Sequence, residues 1–485
     1  VLGHAKTLKI DEQEPIRFTR DMAGRLSRVG FSAELDHALE YDRAGRLSRH
    51  TTMHGTQTVD QVAYRYDVLG NLTERDDSRL GADRYRYDPL GRIVAHTDPA
   101  QTLRHFVYDR QGDRFHHQHA NERGRQVQHD NGARWWLDAA GQLTERHDTQ
   151  TGVQRFTWDA FGRLAEFENT RNEKWAYRYD ALGRRIGKVA LDGPGTERPN
   201  KTRTCFLWDS NTMAGEMRQA HSKNEGRFYA YHLKSFVPLT MQTVATDEVT
   251  TKTHARMFYY QNDPNGAPVK LRAYDGQIVW EAHYGVTGAV DFFETHSIDQ
   301  PIRLQGQYAD NESGLRYNRY RYFDPATGSF VSQDPIGLLG GGNPYQFAFS
   351  TVGWIDPLGL RCAHVDEEKT LHIKNQFEPG SAEDLALRQH VADWNAQIEA
   401  AGGSMTRQSV TKEMRAAANT TAESTRKANP ELYPAGVAAG HTPDVGWGGA
   451  IEGPIKPLNS AVNAYVGGAT QAVPVGTTYN QVVLD

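Results

Sequence analysis

The 485-residue sequence predicts a mainly β repeat architecture followed by a small α-rich domain. Three observations carry that expectation. An aromatic–Asp…Gly motif recurs at close to twenty-one residues through the first part of the chain. The composition holds 45 Gly and 22 Tyr, with a mean hydropathy of −0.69, which suits many short strands joined by turns. After Leu360 the motif stops and apolar residues take up helical spacing.

The repeat is clearest at Tyr41-Asp42…Gly45-Arg46-Leu47, Tyr66-Asp67…Gly70-Asn71-Leu72 and Tyr87-Asp88…Gly91-Arg92-Ile93. It continues at Tyr108-Asp109…Gly112, Leu137-Asp138…Gly141, Trp158-Asp159…Gly162-Arg163-Leu164 and Tyr179-Asp180…Gly183, with a weaker opening copy at Arg20-Asp21…Gly24. One longer interval, near Asp138, predicts a loop insertion or a lost copy. Each copy reads as a hairpin. Alternation such as Tyr85-Arg86-Tyr87 puts aromatics on one face of a strand, Asp caps the turn, and Gly supplies its positive φ. A lone hairpin cannot bury that face, so neighbouring copies must join into a continuous sheet.

The pattern resembles the YD repeats of Rhs proteins, insecticidal toxin-complex C subunits and teneurins. The resemblance covers roughly the first 330 residues and implies a sheet spiralling into a hollow shell, assigned here to residues 1–300. The repeat Tyr, Asp and Gly read as scaffold. A teneurin-like carbohydrate-binding role, making the chain a non-enzymatic shell or adhesion module, is the alternative.

Residues 301–360 change character. They contain Gly314-Leu315-Arg316-Tyr317-Asn318-Arg319-Tyr320-Arg321-Tyr322-Phe323-Asp324-Pro325, then Asp334-Pro335-Ile336-Gly337-Leu338 and Asp356-Pro357-Leu358-Gly359-Leu360. By spacing alone, an Asp-Pro-x-Gly unit is good turn chemistry, and each Asp reads first as a turn cap. Two carboxylates that meet cannot both ionise, and such a pair activates water. The segment resembles the Rhs-associated core. That resemblance implies a self-acting aspartic protease with Asp334 and Asp356 as the catalytic pair and Leu360–Arg361 as the scissile bond. A peptide held in its own active site needs only a modest catalyst and one turnover.

Residues 361–485 form a domain-sized remainder. Ser381-Ala382-Glu383-Asp384 caps a predicted helix whose Leu387, Val391, Trp394 and Ile398 share one face, stopped by Gly402-Gly403. A second helix is predicted from Thr411 to Ala428, before Pro430. The rest reads as loop-rich and holds the candidate chemistry, Gly440-His441-Thr442-Pro443-Asp444-Val445-Gly446-Trp447-Gly448-Gly449. A His and an Asp three apart can present imidazole and carboxylate to one point, although by spacing alone such a pair is most often a hydrogen-bonded structural one. With Asn463 and Gly467-Gly468, the motif resembles the HxxD nucleases of polymorphic toxins, including DNase effectors of type VI secretion. The resemblance implies an α-helical fold, with His441 and Asp444 as the essential pair. Trp447, Asn463, Gly467 and Gly468 are read as shaping the site. A divalent metal is the implied cofactor, Mg2+ being the expected ion, with Asp444 and His441 its candidate ligands. His364, His372 and His390 read as incidental.

Charge sets limits on this. Formal net charge is −5 overall, and from Arg361 onward ten Lys/Arg face fourteen Asp/Glu, so phosphate affinity must be local. Arg407, Lys412, Arg415, Arg426 and Lys427 read either as one basic face or as solvated helix surface. Cys205 and Cys362 lack metal-ligand spacing and are expected to be free thiols. No apolar stretch approaches membrane-spanning length, and no signal peptide is expected. Val1 in place of Met is expected of a fragment or processing product, a delivery segment lying before it. The combined expectation is a secreted antibacterial Rhs effector that self-cleaves after Leu360 and frees a metal-dependent DNase in the recipient cytoplasm. It implies a cognate immunity protein and a secretion spike or adaptor as partners. An RNase toxin of the same delivery system is the alternative activity.

Overall fold

Aromatic–Asp…Gly motifs form the tips of hairpins in the computed structural model of the chain. The structure describes residues 5–11, 13–108, 117–121, 124–129, 131–149, 151–193, 196–197, 202–220, 223–233, 235–246, 253–335, 343–347, 350–353, 355–359, 363–365, 369–373, 382–408, 410–434, 437–450, 452–460, 462, 466 and 477–484. In the turn after Tyr41, Asp42 Oδ1 accepts the amides of Ala44 and Arg46, both at 2.9 Å. Its Oδ2 takes Arg46 Nε at 2.8 Å. Gly45 stands at φ 86°, a left-handed backbone that costs residues with a Cβ roughly 1–2 kcal/mol. The arrangement repeats at Asp21, Asp88, Asp159 and Asp180, and Asn71 replaces the arginine opposite Asp67. The expected turn at Asp109…Gly112 lies outside the described residues.

The motif also ties each repeat to the one before. Tyr41, Tyr66, Tyr87 and Tyr179 donate their hydroxyls to the carbonyls of Leu26, Leu47, Leu72 and Leu164 at 2.7–2.9 Å. Trp158 does the same with its indole N–H, to Leu143 at 2.7 Å. The guanidinium of Arg25, Arg46 and Arg163, already held by the turn Asp, lies 4.7–4.9 Å from the ring of Tyr41, Tyr66 and Tyr179. One arginine therefore closes its own turn and supports the next aromatic.

Among the described residues the strands run in sequence order through two antiparallel sheets, ten from Thr7 to His105 and seventeen from His117 to His296. The sequence shows one motif per repeat; the structure adds turns at the other strand ends, such as Asn169–Asn172, and degenerate ones at Asp263–Gly266 and Gly285–Gly288. The two sheets meet through buried charge. Lys270 Nζ reaches Asp60 at 2.5 Å, Asp77 at 3.0 Å and Glu281 at 3.3 Å. Asp83 receives both His96 and His283, at 2.8 and 2.9 Å. A further sheet of four short strands, from Tyr308 to Phe330, joins the apolar core of the seventeen-stranded sheet with Tyr317 and Tyr322.

The chain divides into two compact units, Val1–Gln333 with Tyr345–Gly359, and Asp334–Pro344 with Leu360–Asp485. In the second, helix α1 spans Ala382–Ala400 and helix α2 spans Lys412–Ala428, capped by Thr411. The predicted face of α1, with Leu387, Val391, Trp394 and Ile398, is buried against Leu371, Ile373, Trp447, Tyr479 and Val482. Asn395 exchanges two hydrogen bonds with the backbone of Val482, Nδ2 to the carbonyl at 2.8 Å and the amide to Oδ1 at 2.7 Å. His390, read as incidental to the chemistry, is buried beside Trp394, and burial pushes its imidazole down to about 4.

The loop-rich reading of this unit's second half is corrected by paired strands, Val437–His441 with Ile455–Asn459 and Met405–Thr406 with Thr478–Tyr479. Gln481–Leu484 also pairs in parallel with Thr370–Ile373, from the opposite end of the unit. Strands of two to five residues with distant partners leave no periodic signal, so the unit combines helices with small sheets.

Candidate functional site

His441 ends the strand Val437–His441, opposite Ile455, and is half-buried. The chain leaves the strand with the Thr442 amide donating to the Pro454 carbonyl at 3.1 Å. It passes a cis Thr442–Pro443 bond and reaches Asp444, the cap of a 3-10 turn over Val445–Trp447. Asp444 Oδ1 accepts the Gly446 amide at 2.8 Å, and its carbonyl accepts the Trp447 amide at 2.8 Å. Folding back after the turn requires glycine, because a Cβ on Gly449 would stand 2.1 Å from the Pro443 carbonyl oxygen.

Trp447 anchors the turn. It is buried, with ring centroids 5.7 Å from Trp394 and 5.3 Å from Tyr479. The guanidinium of Arg407 lies 5.2 Å from its ring. Asn463, Gly467 and Gly468 lie outside the described residues. Arg415, from α2, brings Nη1 to Asp444 Oδ2 at 2.8 Å. The sequence offered Arg415 only as one of five basic residues; the carboxylate it meets follows from the packing of α2 on the Val437–His441 strand.

Among the described residues no group of three His, Cys, Asp or Glu is able to hold a metal. The donors here are one carboxylate, already carrying a guanidinium, and one imidazole. Mg2+ takes six oxygens and often binds through one or two carboxylates, with water and substrate phosphates completing its shell. These residues fit an ion that arrives with a phosphate and do not fit a resident one.

The two Asp-Pro units belong to different compact units, and each has its own surroundings. Asp334 is buried, and its amide donates to the Pro344 carbonyl at 3.0 Å. Asp356 is buried with Oδ2 at 3.3 Å from Arg321 Nη2, and its carbonyl accepts Asn318 Nδ2 at 2.6 Å. Arg321 also donates Nε to the Gly359 carbonyl at 2.5 Å, with its guanidinium 3.6 Å from the Phe330 ring. It therefore fixes both Asp356 and the residue preceding Leu360. The sequence reading passed over Arg321; its signal was an arginine amid alternating aromatics in Arg319-Tyr320-Arg321-Tyr322. Leu360 and Arg361 lie outside the described residues.

Residues 11–198 match the Teneurin YD-shell family model. The chain is 31% identical over 429 residues to "Probable deoxyribonuclease RhsA" of Dickeya dadantii (strain 3937), a match covering 82% of this chain and 29% of that protein. The chain is an Rhs/YD-repeat protein. This Rhs/YD-repeat chain is also 35% identical over 187 residues to "Double-stranded DNA deaminase toxin A" of Burkholderia cenocepacia (strain H111), covering 36% of the chain and 13% of that protein. It spans less than a third of the length of either relative. Among solved structures, 73% of the Rhs/YD-repeat chain matches 20% of a chain in "Crystal Structure of TcdB2-TccC3-TEV", with a TM-score of 0.57 and 19% identity. That likeness shows the fold. No helix of the described residues is long and apolar enough to cross a membrane.

Proposed function

We propose that this Rhs/YD-repeat chain is an antibacterial effector that cuts itself after Leu360 and delivers its C-terminal unit as a metal-dependent DNase. The observation that carries the reading is the His441–Asp444 segment, which holds a half-buried imidazole and a carboxylate on one short, braced loop. The match to "Probable deoxyribonuclease RhsA" supports it further. At 82% of 485 residues it exceeds the 360 that precede the expected cut, so it reaches into the C-terminal unit.

In this reading His441 accepts a proton from the water that attacks phosphorus, and Asp444 orients that water or the imidazole. A divalent ion bound with the phosphate, Mg2+ in our proposal, supplies positive charge against the charge developing on the phosphoryl oxygens. In self-cleavage one of Asp334 and Asp356 accepts a proton from water as it adds to the Leu360 carbonyl carbon. The other protonates the Arg361 nitrogen as the C–N bond breaks, leaving a Leu360 carboxylate and a free Arg361 amine. A type VI spike or adaptor would deliver the chain, and a cognate immunity protein would protect the producer.

The test is digestion of plasmid DNA and total RNA by the purified chain with Mg2+, beside His441→Ala and Asp444→Ala. DNA degraded by the unaltered chain and by neither variant is the expected result. Degradation of RNA with intact DNA would move the activity to an RNase, and digestion of neither would overturn the nuclease reading.

A further inference from the structure

We infer that Arg415 is the phosphate-binding residue of the C-terminal site, parked on Asp444 until a phosphodiester of the nucleic acid displaces it. The inference rests on the nuclease reading and names the group that engages the substrate's charge. Helix α2 brings Arg415 Nη1 to 2.8 Å from Asp444 Oδ2, and the two side chains are 48% and 43% exposed. An ion pair so open to water contributes little to stability. It is also weak enough for a better partner to break.

A phosphodiester is such a partner. The planar guanidinium presents five donors in a fork that matches two phosphoryl oxygens, and only its Nη1 contact to Asp444 is fixed here. The exchange leaves the loop intact, because Asp444 Oδ1 stays on the Gly446 amide and keeps the carboxylate oriented while Oδ2 is released. The unit's charge makes the assignment selective. Ten Lys/Arg against fourteen Asp/Glu from Arg361 onward provide no general attraction for phosphate. Arg407, by contrast, is half-buried over Trp447 and committed to that ring.

The experiment measures duplex DNA affinity between 50 and 200 mM salt for the whole chain carrying His441→Ala, so that DNA is bound and not cut. A lost phosphate contact lowers the slope of log K against log salt by about 0.9. Arg415→Gln is expected to weaken binding and lower the slope by that amount. Arg415→Lys keeps the charge and is expected to restore the slope, and Arg388→Gln on α1, paired with Asp384, to leave affinity and slope unchanged. Binding by the parent with an unaltered slope in Arg415→Gln overturns the inference and leaves the nuclease reading standing. A slope lost equally in Arg415→Lys assigns the effect to local structure and overturns it too. Absence of binding by the parent removes the nuclease reading, and this inference with it.

Discussion

Arg185 forms a buried ion pair with Asp310 at the position where the other described repeats carry Leu26, Leu47, Leu72, Ile93, Leu143 or Leu164. Its guanidinium sits among the rings of Tyr177, Phe206, Tyr308, Tyr317 and Tyr322, with centroids 4.4–5.8 Å away. Lys188 Nζ, 2.9 Å from Asp310, completes the group. Burial acts to raise the Asp310 carboxyl, but Arg185 and Lys188 outweigh it and hold the group below the ordinary carboxylate range. The pair pins the four-stranded sheet of residues 308–330 onto the repeat sheet.

Removing one partner of a buried pair strands the other charge, at a cost of roughly 3–5 kcal/mol. Asp310→Asn is therefore expected to lower the melting temperature of the shell by several degrees. Arg185→Leu, which restores the repeat's usual residue, combined with Asp310→Asn should cost less than the sum of the two single changes. Strict additivity in a double-mutant cycle on thermal unfolding would argue against direct coupling.

Acid weakens the fold through histidines buried as neutral rings. Burial lowers His390 and His50 to about 4, against 6.5 in the unfolded chain. Between those values the unfolded state binds more protons, so stability falls as pH falls; the penalty is absent above pH 6.5 and complete below about 4. For His390, beside Asp393 and Lys456, it amounts to about 3 kcal/mol. His390→Phe should flatten the pH dependence of the C-terminal unit's melting over this window, and a slope equal to that of the parent would reject the assignment.

Self-cleavage gives a direct gel readout. Asp334→Asn and Asp356→Asn should each leave one full-length band where the unaltered chain gives two. Gly359 stands at φ 68°, and a Cβ there would be 2.6 Å from the Asn318 carbonyl oxygen. Gly359→Ala should displace the carbonyl held by Arg321 and slow cleavage by about tenfold or more, since each 1.4 kcal/mol of misplacement is a factor of ten. Cleavage at the parent's rate would show that this carbonyl needs no fixed position.

The tyrosine clamp is testable one hydroxyl at a time. Tyr66→Phe leaves the ring stacked under Arg46 and removes only the bond to the Leu47 carbonyl, 2.9 Å long. A loss of about 1 kcal/mol is expected, with faster amide exchange concentrated at the turns on either side. Exchange unchanged at those turns would mean that stacking alone holds the repeat.

Chelation tests the metal. EDTA should abolish DNA digestion and added Mg2+ restore it, while digestion that persists in EDTA would assign the chemistry to His441 and Asp444 unaided.

The repeat was legible because its residues act within a few positions of one another: Asp42 bonds Ala44, Gly45 and Arg46, and Gly45 answers to backbone sterics alone. The long helices were legible for the same reason, α1 through its apolar stripe and α2 through Thr411 and Pro430. What the sequence withheld depends on distant partners. Arg185 occupies a leucine position without local notice of Asp310, and Lys270 reads as an ordinary charge in a strand until Asp60 and Asp77 arrive from the other sheet. In the site, His441 and Asp444 stood out by motif, but Arg415 was one basic residue among five until α2 was packed.

The tyrosine bonds share a direction: in every case the acceptor carbonyl precedes the donor hydroxyl in the chain, as Leu47 precedes Tyr66 and Leu164 precedes Tyr179. A ribosome therefore releases each acceptor before the ring that must find it. For this bond every new hairpin meets a finished neighbour, whereas the buried charges of Asp60, Asp77 and Asp83 wait for Lys270 and His283. The sheet can be laid down at the pace of translation, like a coil wound from one end, and a nascent chain held by a tether should record tension in steps one repeat apart.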